Sequence, residues 1–88
     1  MNETELERVL KSLANRRRLA IVKFLKKSGS ASVGEVADAI KLSFKATSKH
    51  LMILANAGIL EKEQVSLTVL YSMSKDSNLV VAKIISIV

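Results

Sequence analysis

One stretch limits the possible folds of this chain more than any other: residues 43–58, SFKATSKHLMILANAG. It carries a helix start, two distinct faces and a helix stop. Ser43 is a good N-cap, because its hydroxyl can accept a bond from an orphan N–H of the first turn. Gly58 stands just past the end, where a left-handed residue is wanted. Thr47, His50, Leu51 and Leu54 recur at helical spacing, so they share one face and point that face at a core. The opposite face carries Phe44, Lys45, Ser48, Lys49 and Met52. Lysines and a serine near the N-terminal end of a helix can reach phosphates and base edges when that end enters a major groove. The stretch therefore reads as a DNA-recognition helix.

The rest of the chain falls into short elements around it. A first helix is expected over 3–14, capped by Asn2, with Glu5 three residues on as in a capping box. Leu6, Val9, Leu10 and Leu13 are its apolar stripe, and Glu3, Glu5 and Glu7 suit the positive end of its dipole. Asn15 breaks the pattern and caps a second helix over 16–27. That helix is apolar on most sides through Leu19, Ile21, Val22, Phe24 and Leu25, which means burial on most sides. Ser28-Gly29-Ser30 ends it. Residues 30–32 can pair as a very short strand. Ser32 then caps a third helix, with Glu35 completing an S-x-x-E box and Val33, Val36, Ala37 and Ile40 as its stripe. This helix ends near Lys41, only about three residues before the next begins, which is helix-turn-helix spacing.

After Gly58 the period changes. Residues 59–64 and 67–73 read as two strands, although the turn between them lacks the Asn-Gly or Gly-rich signal of a tight hairpin. A last helix is expected over 75–87 with Ser74 as its cap. Its β-branched residues lower helix propensity and leave a further strand as the alternative. The expected class is thus mainly α with a small β-hairpin: five helices and two wing strands in one domain.

Composition narrows the chemistry. The chain has 88 residues, no cysteine, no proline and a single histidine. Disulfides, thiolate nucleophiles and thiolate metal sites are excluded. A lone His50 makes no transition-metal site without carboxylates, and none stand near it in sequence. It reads as a packed, hydrogen-bonded residue or, alternatively, as a phosphate contact or pH-sensitive group. No paired carboxylates and no phosphate-cradling glycine loop are present, which leaves weak ground for an enzyme. Neither a metal nor a cofactor is expected. Net charge is +6, clustered at Arg16, Arg17, Arg18, Lys23, Lys26 and Lys27 and again at Lys41, Lys45 and Lys49. Such asymmetry suits a polyanion, and charge alone equally suits a solubilising surface. The first 15 residues are too acidic and amphipathic for a signal peptide, and the apolar C-terminal run is too short to span a membrane. A cytoplasmic location without membrane partners is expected. A domain this short buries only roughly 60–65% of its unfolded surface, so support from a partner subunit is reasonable.

The order helix, helix, short strand, helix, recognition helix, hairpin, helix resembles a winged helix-turn-helix. More narrowly, the chain resembles the arsenical-resistance-repressor (ArsR-type) family of small dimeric regulators. The residues that carry the resemblance are LKSLANRRRLAIV at 10–22, EVADAI at 35–40, LSFKATSKHLMILANAGIL at 42–60 and the Tyr-Ser pair at 71–72. The resemblance implies a symmetric homodimer built from the first and last helices, here 3–14 and 75–87. Leu6, Val9, Leu10, Leu13, Leu79, Val81, Ile84, Ile85 and Val88 would form the interface; the alternative is that the last helix packs only on its own domain. Arg18 aligns with an arginine common just inside the family's second helix, where a structural role fits. Three departures stand out. The C-x-C metal motif of many members falls here on Ser32 and Gly34, and the last helix offers Asp76 but no histidine. Lys41 replaces the usual turn glycine, which costs about 1 kcal/mol if that residue is left-handed. The wing carries Glu61, Lys62, Glu63 and Gln64 with Val65 and Leu67 at its tip, so Lys62 is its one plausible phosphate contact.

These observations point to a homodimeric, sequence-specific regulator of double-stranded DNA. The resemblance implies repression from a palindromic promoter site. Lys45, Ser48 and Lys49 would read bases or flanking phosphates. Phe44 would touch a thymine methyl or pack against the turn. Ser43 would add a phosphate contact at the helix N-terminus, and Lys41, Arg16, Arg17 and Lys62 would hold the backbone. The rival readings are a protein-interaction module that uses Phe44, Met52, Val65 and Leu67, and a non-specific, chromatin-type DNA binder. No effector is legible.

Overall fold

A computed structural model describes residues 1–76 and 79–88. The elements run α1 (Glu3–Leu13), α2 (Arg16–Ser28), β1 (Ser30–Ser32), α3 (Val33–Ile40), α4 (Phe44–Asn56), β2 (Leu60–Val65), β3 (Thr68–Met73) and α5 (Leu79–Ser86). This is the expected winged helix-turn-helix: among the described residues, five helices and a small antiparallel sheet in the order β1-β3-β2.

The starts of α1 to α4 each have a side-chain cap. Asn2 Oδ1 accepts from the Glu5 N–H at 2.9 Å. Asn15 Oδ1 accepts from Arg17 and Arg18 at 3.0 and 3.1 Å. Ser32 and Glu35 form the full reciprocal box: Glu35 N–H donates to Ser32 Oγ at 3.2 Å, and Ser32 N–H donates to the Glu35 carboxylate at 2.9 Å. Ser43 Oγ accepts from Ala46 N–H at 3.2 Å. The fifth helix departs from expectation. Ser74 does not cap it: its N–H donates to the Ile59 carbonyl at 2.9 Å, extending the sheet's closure. Its Oγ accepts from Asp76 N–H at 3.3 Å in a local turn. The helix over 75–87 is therefore shortened at its start; the part of that expectation on 77–78 lies outside the described residues.

The core sits where all layers meet. Ile21, Val22 and Leu25 of α2 pack with Val36 of α3, Leu51 and Leu54 of α4, Ile59, Leu60 and Tyr71. α2 is the central helix, as its broad apolar surface requires. β1 pairs with β3 so that Ala31 faces Tyr71, and both are buried. At the far edge, β2 and β3 join through a two-residue turn, Ser66-Leu67, between the paired Val65 and Thr68. Ser66 takes a positive φ of 59° there. The expected strand boundaries shift accordingly: Val65 belongs to β2, and Leu67 to the turn rather than to β3.

α5 is tied to α2 by Lys26, whose Nζ donates to the Ile85 carbonyl at 2.6 Å. A cation at that carbonyl end also suits the α5 dipole. Val81 of α5 is buried in the protomer core.

Candidate nucleic-acid interface

The geometry of α4 is set at both ends by backbone chemistry. At its exit, Ile59 N–H bonds the Leu54 carbonyl and Gly58 N–H bonds Ala55, each at 3.0 Å. Gly58 is left-handed (φ 79°). These are the two bonds of a Schellman stop, and the apolar Ile59 and Leu54 that it brings together are both buried. At its entry, α3 ends in the same way without a glycine. Lys41 is left-handed (φ 57°, ψ 52°), and Leu42 N–H closes onto the Ala37 carbonyl at 3.0 Å. That tight turn sets α4 against α3.

The two faces of α4 separate as the spacing requires. Thr47, Leu51 and Leu54 have no exposed surface, whereas Phe44 is 63% and Met52 52% exposed. Lys45 and Lys49 are exposed and Ser48 is half-buried beside them. Lys45, Ser48, Lys49 and Met52 thus form one outward stripe, with Ser43 and Lys41 exposed at its entry. Arg16 and Arg17 are exposed on the first turn of α2. Lys62 stands apart on β2, opposite Tyr71 in register. The wing tip offers no cation: Leu67 is 96% and Val65 46% exposed.

One electrostatic pattern separates α2 and α4 from α1 and α3. α1 begins with Glu3 and Glu5, and α3 with Glu35. α2 and α4 have no acid in the first turn; Arg16, Arg17 and Lys45 stand there instead. Cations at a helix N-terminus oppose the dipole. Two such ends on one molecule make sites whose local repulsion an anion relieves.

Arg18 and His50 hold the frame. Arg18 Nε donates to the Ser12 carbonyl at 2.6 Å and Nη2 to the Lys11 carbonyl at 3.3 Å, so it binds the C-terminal carbonyls of α1. Its Nη1 lies 3.3 Å from His50 Nδ1. A guanidinium only donates, so Nδ1 accepts and the ring proton sits on Nε2. Burial, then Arg18 and Arg17, push the His50 pKa below its ordinary value. His50 is a neutral strut between α4 and the α1–α2 junction. Ser32 likewise uses its side chain structurally, to cap α3.

The nine residues assigned to a subunit interface divide. Val9, Leu13 and Val81 are 4–5% exposed within a single protomer and belong to its own core. They are thus removed from the expected contact surface. Leu10 (45%) and Leu79 (74%) are exposed, and Leu6, Ile84, Ile85 and Val88 are half-buried.

A helix-turn-helix with a basic outward α4 and a hairpin wing defines a winged helix-turn-helix DNA-binding domain. Residues 15–62, more than half the chain, match the family described as bacterial regulatory protein, arsR family. The chain belongs to that family. The transcriptional activator HlyU of Vibrio cholerae is 36% identical over 81 residues, spanning 84% of this chain and 74% of that protein. The structure of reduced HlyU superposes with a TM-score of 0.80 at 32% identity, covering 98% of this chain and 86% of that one. A homodimeric winged helix-turn-helix DNA-binding domain from Mycobacterium bovis gives a TM-score of 0.81 at 27% identity, covering 96% and 74%. The family and HlyU are transcriptional regulators, not enzymes. Among the described residues, no helix is long and apolar enough to cross a membrane.

Proposed function

We propose that the protein acts in the cytoplasm as a homodimer on a palindromic operator and represses by occupying the promoter. The observation that carries the DNA-binding part of this reading is the outward stripe of α4, with Lys45, Ser48 and Lys49 set on a helix opposite a fully buried face. Two such helices, one per protomer, fit successive major grooves one helical turn apart. Arg16, Arg17 and Lys41 supply phosphate contacts around them, with Lys62 at the wing. The M. bovis relative is described as homodimeric, which supports the dimer.

A second reading rests on the wing. Its tip is apolar and its strand carries Glu61 and Glu63, a surface better suited to protein than to phosphate. Selection of bound fragments from random duplex DNA at two salt concentrations separates the two. The regulator yields a palindrome whose binding falls with salt by a log–log slope of about −0.9 per phosphate contact. Lys45→Ala with Lys49→Ala loses at least about 30-fold, since each base contact is worth about 1–3 kcal/mol. Binding without a motif indicates a non-specific role. No binding at low salt transfers the function to the wing.

A further inference from the structure

A trough runs along the flank of α1 and α4, and its far half takes in Lys49 and Met52 of the outward stripe. Its first part, a groove of about 410 Å³, is lined by Arg8, Lys11, Ser12, Arg18, Ile53 and Ala57. Its second part, also about 410 Å³, is lined by Lys49, His50, Met52 and Asn56 and shares Ile53 with the first. The floor is apolar, and Ile53 and Met52 are 42% and 52% exposed. An apolar groove of this size with a few placed polar groups is the ordinary form of a small-molecule site.

The charged groups are mostly cations, Arg8, Lys11, Arg18 and Lys49, set among the neutral Thr4, Ser12, His50 and Asn56. Glu7 is the one carboxylate on the lining, and it stands 4.0 Å from Lys11 in the single ion pair among the described residues. Among the described residues Arg18 has no carboxylate partner. Of its five N–H groups, Nε–H, one on Nη1 and one on Nη2 are taken by Ser12, His50 and Lys11. One N–H on each terminal nitrogen is left. A half-buried guanidinium with two unused donors beside an apolar floor calls for an anion attached to an apolar body. A second copy of this chain is a poor occupant, because it would bring the same positive rim. The helix geometry keeps most of the trough apart from the proposed dimer contact. Thr4, Arg8 and Lys11 lie on the side of α1 away from Leu6, and Glu7, three residues before Leu10, is the lining residue that borders that contact.

We propose that this trough binds a single-chain amphipathic carboxylate, with its head on Arg18, flanked by Arg8 and Lys11, and its tail over Ile53 and Met52. Lys49 belongs both to the far end of the trough and to the DNA-facing stripe. Occupancy and DNA binding therefore oppose each other, and by linkage each weakens the other by the same factor. That coupling rests on the proposed DNA reading; the site itself does not.

Dodecanoate, kept below its micelle concentration, is the probe. Calorimetric titration into the full chain should show saturable binding at one per chain. Acetate lacks the tail and dodecyltrimethylammonium lacks the anion, so each should bind at least about tenfold more weakly. Ile53→Glu changes an exposed position outside the DNA stripe and should reduce dodecanoate affinity at least about tenfold with the helical spectrum unchanged. Arg8→Gln, also exposed, should weaken it less. Non-saturable uptake, equal binding of the cationic amphiphile, or unchanged affinity in Ile53→Glu overturns the site. A parallel duplex-DNA titration separates the two readings. DNA binding that is lost at low salt refutes the regulator, whereas DNA binding that persists undiminished at saturating dodecanoate refutes the coupling.

Discussion

Lys41 is the residue whose backbone and side chain pull in different directions. Its left-handed φ of 57° makes the turn between α3 and α4, a conformation that costs an L-residue roughly 1–2 kcal/mol and glycine almost nothing. The lysine persists where a glycine would be more stable, and its exposed ammonium at the entry to α4 gives a reason. Lys41→Gly should be more stable than Lys41→Ala by about 1 kcal/mol, or about 4–8 °C in Tm for a domain of this size. Urea and thermal unfolding of the pair measure the backbone cost with the charge removed from both. Equal stability would mean that the turn carries no strain. His50 gives a second residue-scale test. Its pKa is lowered in the folded protein, so the unfolded chain binds the proton first. Stability is fully present above the unfolded pKa of about 6.5 and falls as pH drops from there toward the folded value. His50→Gln keeps an acceptor for Arg18 and cannot titrate. Its unfolding free energy should stay level between pH 7 and the onset of carboxylate titration, where the parent declines; parallel profiles would refute the strut.

At the scale of elements, what could be read from the residues was whatever a local rule decides. Ser32 and Glu35 announce α3 because both halves of the box lie within one turn. Gly58 announces the end of α4 because only a left-handed residue closes that stop. The faces of α4 follow from spacing alone. Ser74 misled for a physical reason: the same side chain that could cap a helix closes a turn, and its backbone was already engaged by Ile59. The hairpin was harder to place because Ser66 supplies the positive φ without being glycine or asparagine. The contacts of Arg18 were out of reach of any local pattern, since His50 lies 32 residues away in the chain. Yet the basic first turns of α2 and α4 were legible. They violate the dipole preference that α1 and α3 obey, and a broken local rule without a local compensation is a marker of function.

For the whole molecule, the open question is how the protomer covers its remaining apolar surface. Leu10 on the first helix is 45%, Leu79 on the last 74% and Ile87 just beyond it 83% exposed, while the central core is complete without them. Val9, Leu13 and Val81 are already spent inside the protomer, so substituting them would unfold the chain and say nothing about assembly. Leu10 and Leu79 are the discriminating positions. In an isolated protomer Leu10→Asp and Leu79→Asp alter solvent-facing side chains, and such changes usually stay within about ±0.5 kcal/mol. In a dimer built on these helices, each aspartate appears twice across a two-fold axis in an apolar contact, with desolvation and like-charge repulsion added together. Sedimentation should show the parent as a dimer and the double variant as a folded monomer with an unchanged helical spectrum. Operator binding should fall much further than through the loss of either leucine alone, because two half-sites are then bound independently rather than by one rigid pair. If the double variant sediments like the parent, α1 and α5 do not form the subunit contact. Spacing between the two α4 helices would then have to come from another face.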